Sequence, residues 1–112
     1  MSEARRWIPI AAVADCPEGE IRGLTVEGHE IALYHLEGGE FCATGNVCTH
    51  GQALLSDGWL VDGHQVECPL HAGCFDVRTG QGMGSPIEED LKSYPVRLED
   101  GQVLVGLENQ PD

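Results

Sequence analysis

A chain of 112 residues fits one domain and buries only a modest core, so a bound metal centre would help hold it together. Nineteen acidic residues face six basic ones, a formal charge of -13, which argues against nucleic acid and anionic membranes and favours basic partners. Fifteen glycines and six prolines point to turns and short strands, and no stretch approaches the ~20 apolar residues of a membrane helix.

Arg5-Arg6 ahead of the apolar run Trp7 to Ala14 faintly resembles a twin-arginine export signal. Pro9 interrupts that run and Asp15 ends it without a small-residue cleavage site, so Trp7 to Ala11 reads as a first strand. Glu20 to Glu27 alternates in part, and Gly28-His29 reads as a tight turn. Glu30 to Leu36 follows, with Ile31, Leu33 and His35 on one face and Ala32, Tyr34 and Leu36 on the other. Glu37-Gly38-Gly39 signals a hairpin into Glu40 to Thr44. Trp59 to Val61 and Gln65 to Glu67 flank the turn pair Asp62-Gly63, and Ser93 to Glu99 and Val103 to Leu107 flank Asp100-Gly101. No segment keeps a helical apolar period, so the chain reads as all-β. Gly45 to Gly58 and Pro69 to Pro86 are the least regular stretches, and the chemistry lies there.

Cys48-Thr49-His50 is a Cys-x-His pair and Cys68-Pro69-Leu70-His71 a Cys-x-x-His pair. Each follows a strand and can present two side chains to a common point. Zinc would take all four tetrahedrally. A single iron is a rarer choice. A [2Fe–2S] cluster would take Cys48 and Cys68 on one iron and His50 and His71 on the other. Ligand softness alone does not decide among them. The remaining cysteines read as a core thiol on a strand (Cys42), a loop residue (Cys16) and a non-ligand neighbour of the motif (Cys74). His29, His35 and His64 lack ligand spacing and read as strand or turn residues, and Trp59 as a packing residue. Gly80-Gln81-Gly82-Met83-Gly84 lacks the strand-to-helix setting of a dinucleotide site.

The flanking residues separate the metals. Cys48-Thr49-His50-Gly51, Cys68-Pro69-Leu70-His71-Ala72-Gly73-Cys74-Phe75-Asp76 and Thr79-Gly80, followed by Pro86, Leu91 and Tyr94-Pro95-Val96, resemble the Rieske domain family along nearly the whole chain. Within it the chain looks most like the Rieske ferredoxins of bacterial aromatic-ring dioxygenase systems, such as those for naphthalene or biphenyl. The resemblance implies one β-sandwich-like domain over residues 1–112, with a small cluster-binding part at about residues 45–86 and a third loop near Pro86 covering the cluster. It implies a Rieske-type [2Fe–2S] cluster on Cys48, His50, Cys68 and His71, and a soluble cytoplasmic one-electron carrier, itself no enzyme. The donor would be an NADH-dependent flavoprotein reductase, and the acceptor a terminal Rieske non-haem iron oxygenase. A Rieske-like small subunit of a larger oxidoreductase, of nitrite reductase or arsenite oxidase type, is the alternative, and a zinc-stabilised module a second one.

Gly51 and Gly73 would let backbone N–H groups approach the sulfides. Neutral imidazoles in place of two thiolates leave less negative charge and ease electron uptake. Respiratory Rieske proteins carry a disulfide between the two loops, where this chain has Ala53 and Leu70, and hydroxyl donors to sulfur where it has Gly73 and Phe75. The resemblance therefore implies a potential near the low end of the Rieske range, about -150 mV. Leu54, Leu55, Met83 and Pro86 would form an apolar contact ring around exposed imidazole edges.

Overall fold

A computed structural model of the chain describes residues 5–49, 53–69, 73–83 and 89–108. Among these, strands dominate and pair antiparallel in three sheets. The first sheet joins β1 (Arg5–Ala12) to β10 (Gln102–Glu108) and β9 (Val96–Glu99). The second runs β2 (Ile21–Val26), β3 (His29–His35), β4 (Phe41–Gly45) and β8 (Ser93–Tyr94). The third is β5 (Trp59–Val61), β6 (Gln65–Glu67) and β7 (Cys74–Asp76).

The second sheet is the middle layer, and β3 shows why. Ile31 and Leu33 pack with Val103, Val105 and Leu107 of β10, while Ala32, Tyr34 and Leu36 pack with Leu55, Val66, Phe75 and two of the motif cysteines. Both faces of β3 are covered, so its apolar residues form a run rather than an alternation. Each fully buried Ile, Leu or Phe here contributes roughly 1.5–3 kcal/mol. Tyr34 and Thr44 lie fully buried on the cysteine side. The Tyr34 hydroxyl meets Thr44 Oγ1 at 2.8 Å, and Thr44 Oγ1 donates to the Gly45 carbonyl at 2.9 Å, so neither is left unpaired. Burial holds the Tyr34 phenol well above its ordinary range.

The turn between β2 and β3 is Glu27-Gly28, at φ 51° and 84°, with Val26 opposite His29. His29 is thus a strand residue, not the turn residue its position beside glycine suggests. A two-residue hairpin of type I′ needs both central residues left-handed, and Asp100-Gly101 does the same at φ 52° and 78° between Glu99 and Gln102. The stretch expected as one strand from Ser93 to Glu99 is split at Pro95. Without an N–H, Pro95 cannot continue the ladder, and the chain crosses there from the middle sheet to the first.

Candidate metal centre

The two cysteine-bearing stretches are built alike. In the first, Val47 bridges Leu54, and the Cys48 N–H donates to the Ala53 carbonyl at 2.9 Å. In the second, Glu67 pairs with Cys74, and the Cys68 N–H donates to the Gly73 carbonyl at 2.7 Å. In each case the cysteine opens a six-residue span whose ends are closed by its own N–H. Residues 53–54 lead into a 3₁₀ helix, Leu55–Asp57, and residues 73–74 into β7.

Cys48 and Cys68 are 2% and 1% exposed and lie in one buried cluster with Leu55, Val66, Phe75 and Leu91. Two soft donors brought from positions twenty apart into one apolar, water-poor region suit an iron–sulfur group. Among the described residues no three His, Cys, Asp or Glu side chains gather at one point. A metal group on Cys48 and Cys68 would need further ligands, and the expected ones, His50 and His71, lie outside the described residues, as do Gly51, Leu70 and Pro86.

The segment after β7 ties both spans together. Gly82 bridges Phe75, and the Met83 N–H donates to the Cys74 carbonyl at 2.9 Å. The Gly82 N–H donates to Asp90 Oδ1 at 2.9 Å, and Thr49 Oγ1 donates to the Glu89 carbonyl at 2.7 Å. At the base, the Leu91 N–H donates to the Gly80 carbonyl at 2.7 Å. Gly80 sits at φ +84°, and a Cβ there would collide with the Leu91 carbonyl oxygen.

Other sequence expectations divide. Cys42 is buried, as expected of a core thiol, with its Sγ–H toward Glu40 Oε2 at 3.6 Å. Cys16 is in a loop yet fully buried, packed with Phe41 and Val103. His35 stacks on Phe41 with ring centroids 3.9 Å apart, and its Nδ1 lies 2.7 Å from the Cys16 carbonyl oxygen. His29 meets Tyr94 edge-on, and His64 Nδ1 lies 3.5 Å from Asp76 Oδ2. These three histidines serve strands and turns. Trp59 opens the edge strand β5 and is 48% exposed, so it packs over only part of its ring.

Of the expected apolar ring, Leu54 and Met83 are exposed, but Leu55 is fully buried because the 3₁₀ helix turns it inward. Val47, exposed and opposite Leu54, is a further apolar surface residue beside the first span that the sequence reading missed. Arg78 forks onto Glu40, with Nη2 2.9 Å from Oε1, linking the β3–β4 turn to the turn after β7. No helix among the described residues is long and apolar enough to cross a membrane.

The Rieske [2Fe–2S] domain model matches residues 6–95. The ferredoxin component of the naphthalene 1,2-dioxygenase system of Pseudomonas aeruginosa is 49% identical over 102 residues, covering 91% of this chain and 96% of its own length. The Sphingomonas yanoikuyae B1 ferredoxin matches the fold with a TM-score of 0.83 at 38% identity, covering 95% of this chain and 100% of that one. A chain from the complex of reduced oxygenase and oxidized ferredoxin in carbazole 1,9a-dioxygenase gives 0.83 at 38% identity, with 95% and 97% covered.

Proposed function

The chain belongs to the Rieske [2Fe–2S] domain family, and we propose that it is a diffusing one-electron carrier whose cluster is held by Cys48, His50, Cys68 and His71. When bound, the cluster supplies a one-electron couple. Cys48 and Cys68 hold the buried side, and His50 and His71 the side facing a partner. The cluster-binding part spans about residues 45–86 of a single domain, 1–112. What carries the reading is the pairing of two buried cysteines in one apolar cluster, each opening a span closed in the same way, with a histidine two or three residues on.

The electron comes from an NADH-dependent flavoprotein reductase and goes to a Rieske non-haem iron aromatic-ring dioxygenase. The similarity to a ferredoxin component of a naphthalene dioxygenase system and to a chain from an oxygenase–ferredoxin complex supports the oxygenase as acceptor. A cytoplasmic location fits Cys16, Cys42 and Cys68 standing outside any disulfide. Val47, Leu54 and Met83 offer a small apolar contact beside the spans, in keeping with a transient interface below about 1,200 Å². Asp57, Glu89 and Asp90 are exposed nearby in the chain, and the charge of -13 steers the protein to basic patches.

The test is the second-order rate of oxidation of the reduced protein by a cognate oxygenase across a salt series. The rate falls as salt rises, because exposed charges are screened beyond about 8 Å at physiological ionic strength. Leu54→Asp or Met83→Asp slows transfer with the absorption spectrum unchanged. A flat or rising series contradicts the steering, and unchanged rates in both variants move the contact elsewhere.

A further inference from the structure

The inference rests on the reading of Cys48 and His50 as ligands and concerns what holds the span that carries them. The second span is closed by a regular ladder, in which Gln65, Val66 and Glu67 pair with Asp76, Phe75 and Cys74. Among the described residues, the first is flanked by the isolated bridge between Val47 and Leu54 and by one further backbone bond, from the Leu55 N–H to the Asn46 carbonyl. Beside that bridge stands Asn46, 2% exposed, directly after β4 and two residues before Cys48.

A buried amide is costly unless its polar groups are paired, and here each polar atom has a partner. Asn46 Oδ1 accepts the Ser56 N–H at 2.8 Å, and Nδ2 donates to Ser56 Oγ at 3.1 Å. The Asn46 N–H donates to the Glu30 carbonyl at 2.9 Å, and its own carbonyl accepts the Leu55 N–H at 2.8 Å. Asn46 thus binds residues on the far side of the span, with its side chain where the second span has a strand partner. Gly23 of β2 leaves the room this needs, since a Cβ there would stand 2.7 Å from Ser56 Oγ and 2.8 Å from Asn46 Nδ2.

We infer that Asn46, seated against Ser56 in space left by Gly23, is a positioning residue that sets how the first span presents Cys48. It does for this span what the β6–β7 ladder does for the other.

The test is hydrogen exchange by mass spectrometry on the iron-loaded protein, comparing peptides over residues 46–57 and 65–77. Asn46→Ala raises exchange about tenfold in the first peptide and leaves the second unchanged. Loss of the cluster to a chelator, measured well below the unfolding temperature, speeds by a similar factor. Ser56→Ala keeps the backbone bond to Oδ1 and has a smaller effect, and adding it to Asn46→Ala changes nothing more. Asn46→Asp, which still accepts the Ser56 N–H, restores part of the protection. Gly23→Ala removes neither partner yet produces the same selective loosening, and it stands in if Asn46→Ala does not fold. Equal loosening of both peptides, or an unchanged first peptide in these variants, overturns the positioning role. A Cys48→Ser variant with full wild-type iron and sulfide overturns the ligand reading as well, which separates that failure from the first.

Discussion

Phe75 lies fully buried in the same cluster of side chains that encloses Cys68. Its ring offers apolar surface and no donor, so the extra negative charge of the reduced state gains nothing from it. Phe75→Tyr places a hydroxyl donor in that cluster and should raise the potential. A bond stronger by about 1.4 kcal/mol in the reduced state corresponds to about 59 mV for one electron. Redox titration of a folded variant checks this, and a fall in potential with the hydroxyl bonded to sulfur contradicts it.

Gly80 and Leu91 are joined by a backbone hydrogen bond, the Leu91 N–H donating to the Gly80 carbonyl. Gly80→Ala combines a left-handed backbone with a clash against the Leu91 carbonyl. The expected cost is about 2 kcal/mol or more. It should appear as a lower urea midpoint and faster cluster loss. Gly38→Ala, also at positive φ but with nothing close to its Cβ position, isolates the backbone part of that cost.

Thr49 joins the first span to Glu89 through its hydroxyl. Thr49→Val removes that bond while keeping the branched shape and should cost about 1 kcal/mol, a few degrees in Tm. Thr49→Ser keeps the hydroxyl and should lose less. Thermal denaturation of the three proteins reads the order directly.

Cys42 gives the chain an alkaline weakness. Burial, and then the neighbouring Glu40 carboxylate, push its thiol from an ordinary 9.0 up to about 12. Between those values the folded state keeps a proton that the unfolded state has lost, so stability falls as pH rises. Below about 9 this contribution is flat. Cys42→Ala should therefore lose less stability per pH unit in that window, by up to ~1.4 kcal/mol per unit. Parallel denaturation curves at pH 8 to 11, stepped in ~1 unit intervals, supply the comparison.

Local chemistry announced the hairpins at Asp62-Gly63 and Asp100-Gly101, because turn residues act through identity and spacing, and the same spacing singled out Cys48 and Cys68, which the structure brings into one buried cluster. The faces of β3 were legible too, since Ile31 and Leu33 alternate with Ala32 and Tyr34. What escaped depends on contacts distant in sequence. β7 is three residues long and exists through its pairing with β6 and Gly82. Leu55 and Leu54 are neighbours of equal hydrophobicity, and only the 3₁₀ helix decides which is inside. Asn46 reads as one more polar loop residue until Ser56 and Gly23 are seen beside it.

A [2Fe–2S] cluster held by two cysteines and two histidines has a distinct magnetic signature. The direct measurement is pulsed EPR of the reduced protein, prepared with its histidines labelled by ¹⁵N, together with iron and acid-labile sulfide content. Two of each per chain are expected, with two strong imidazole nitrogen couplings, one lost when His50 is replaced by cysteine and the other when His71 is. A cluster without nitrogen couplings, or a colourless zinc protein, would contradict this ligand set.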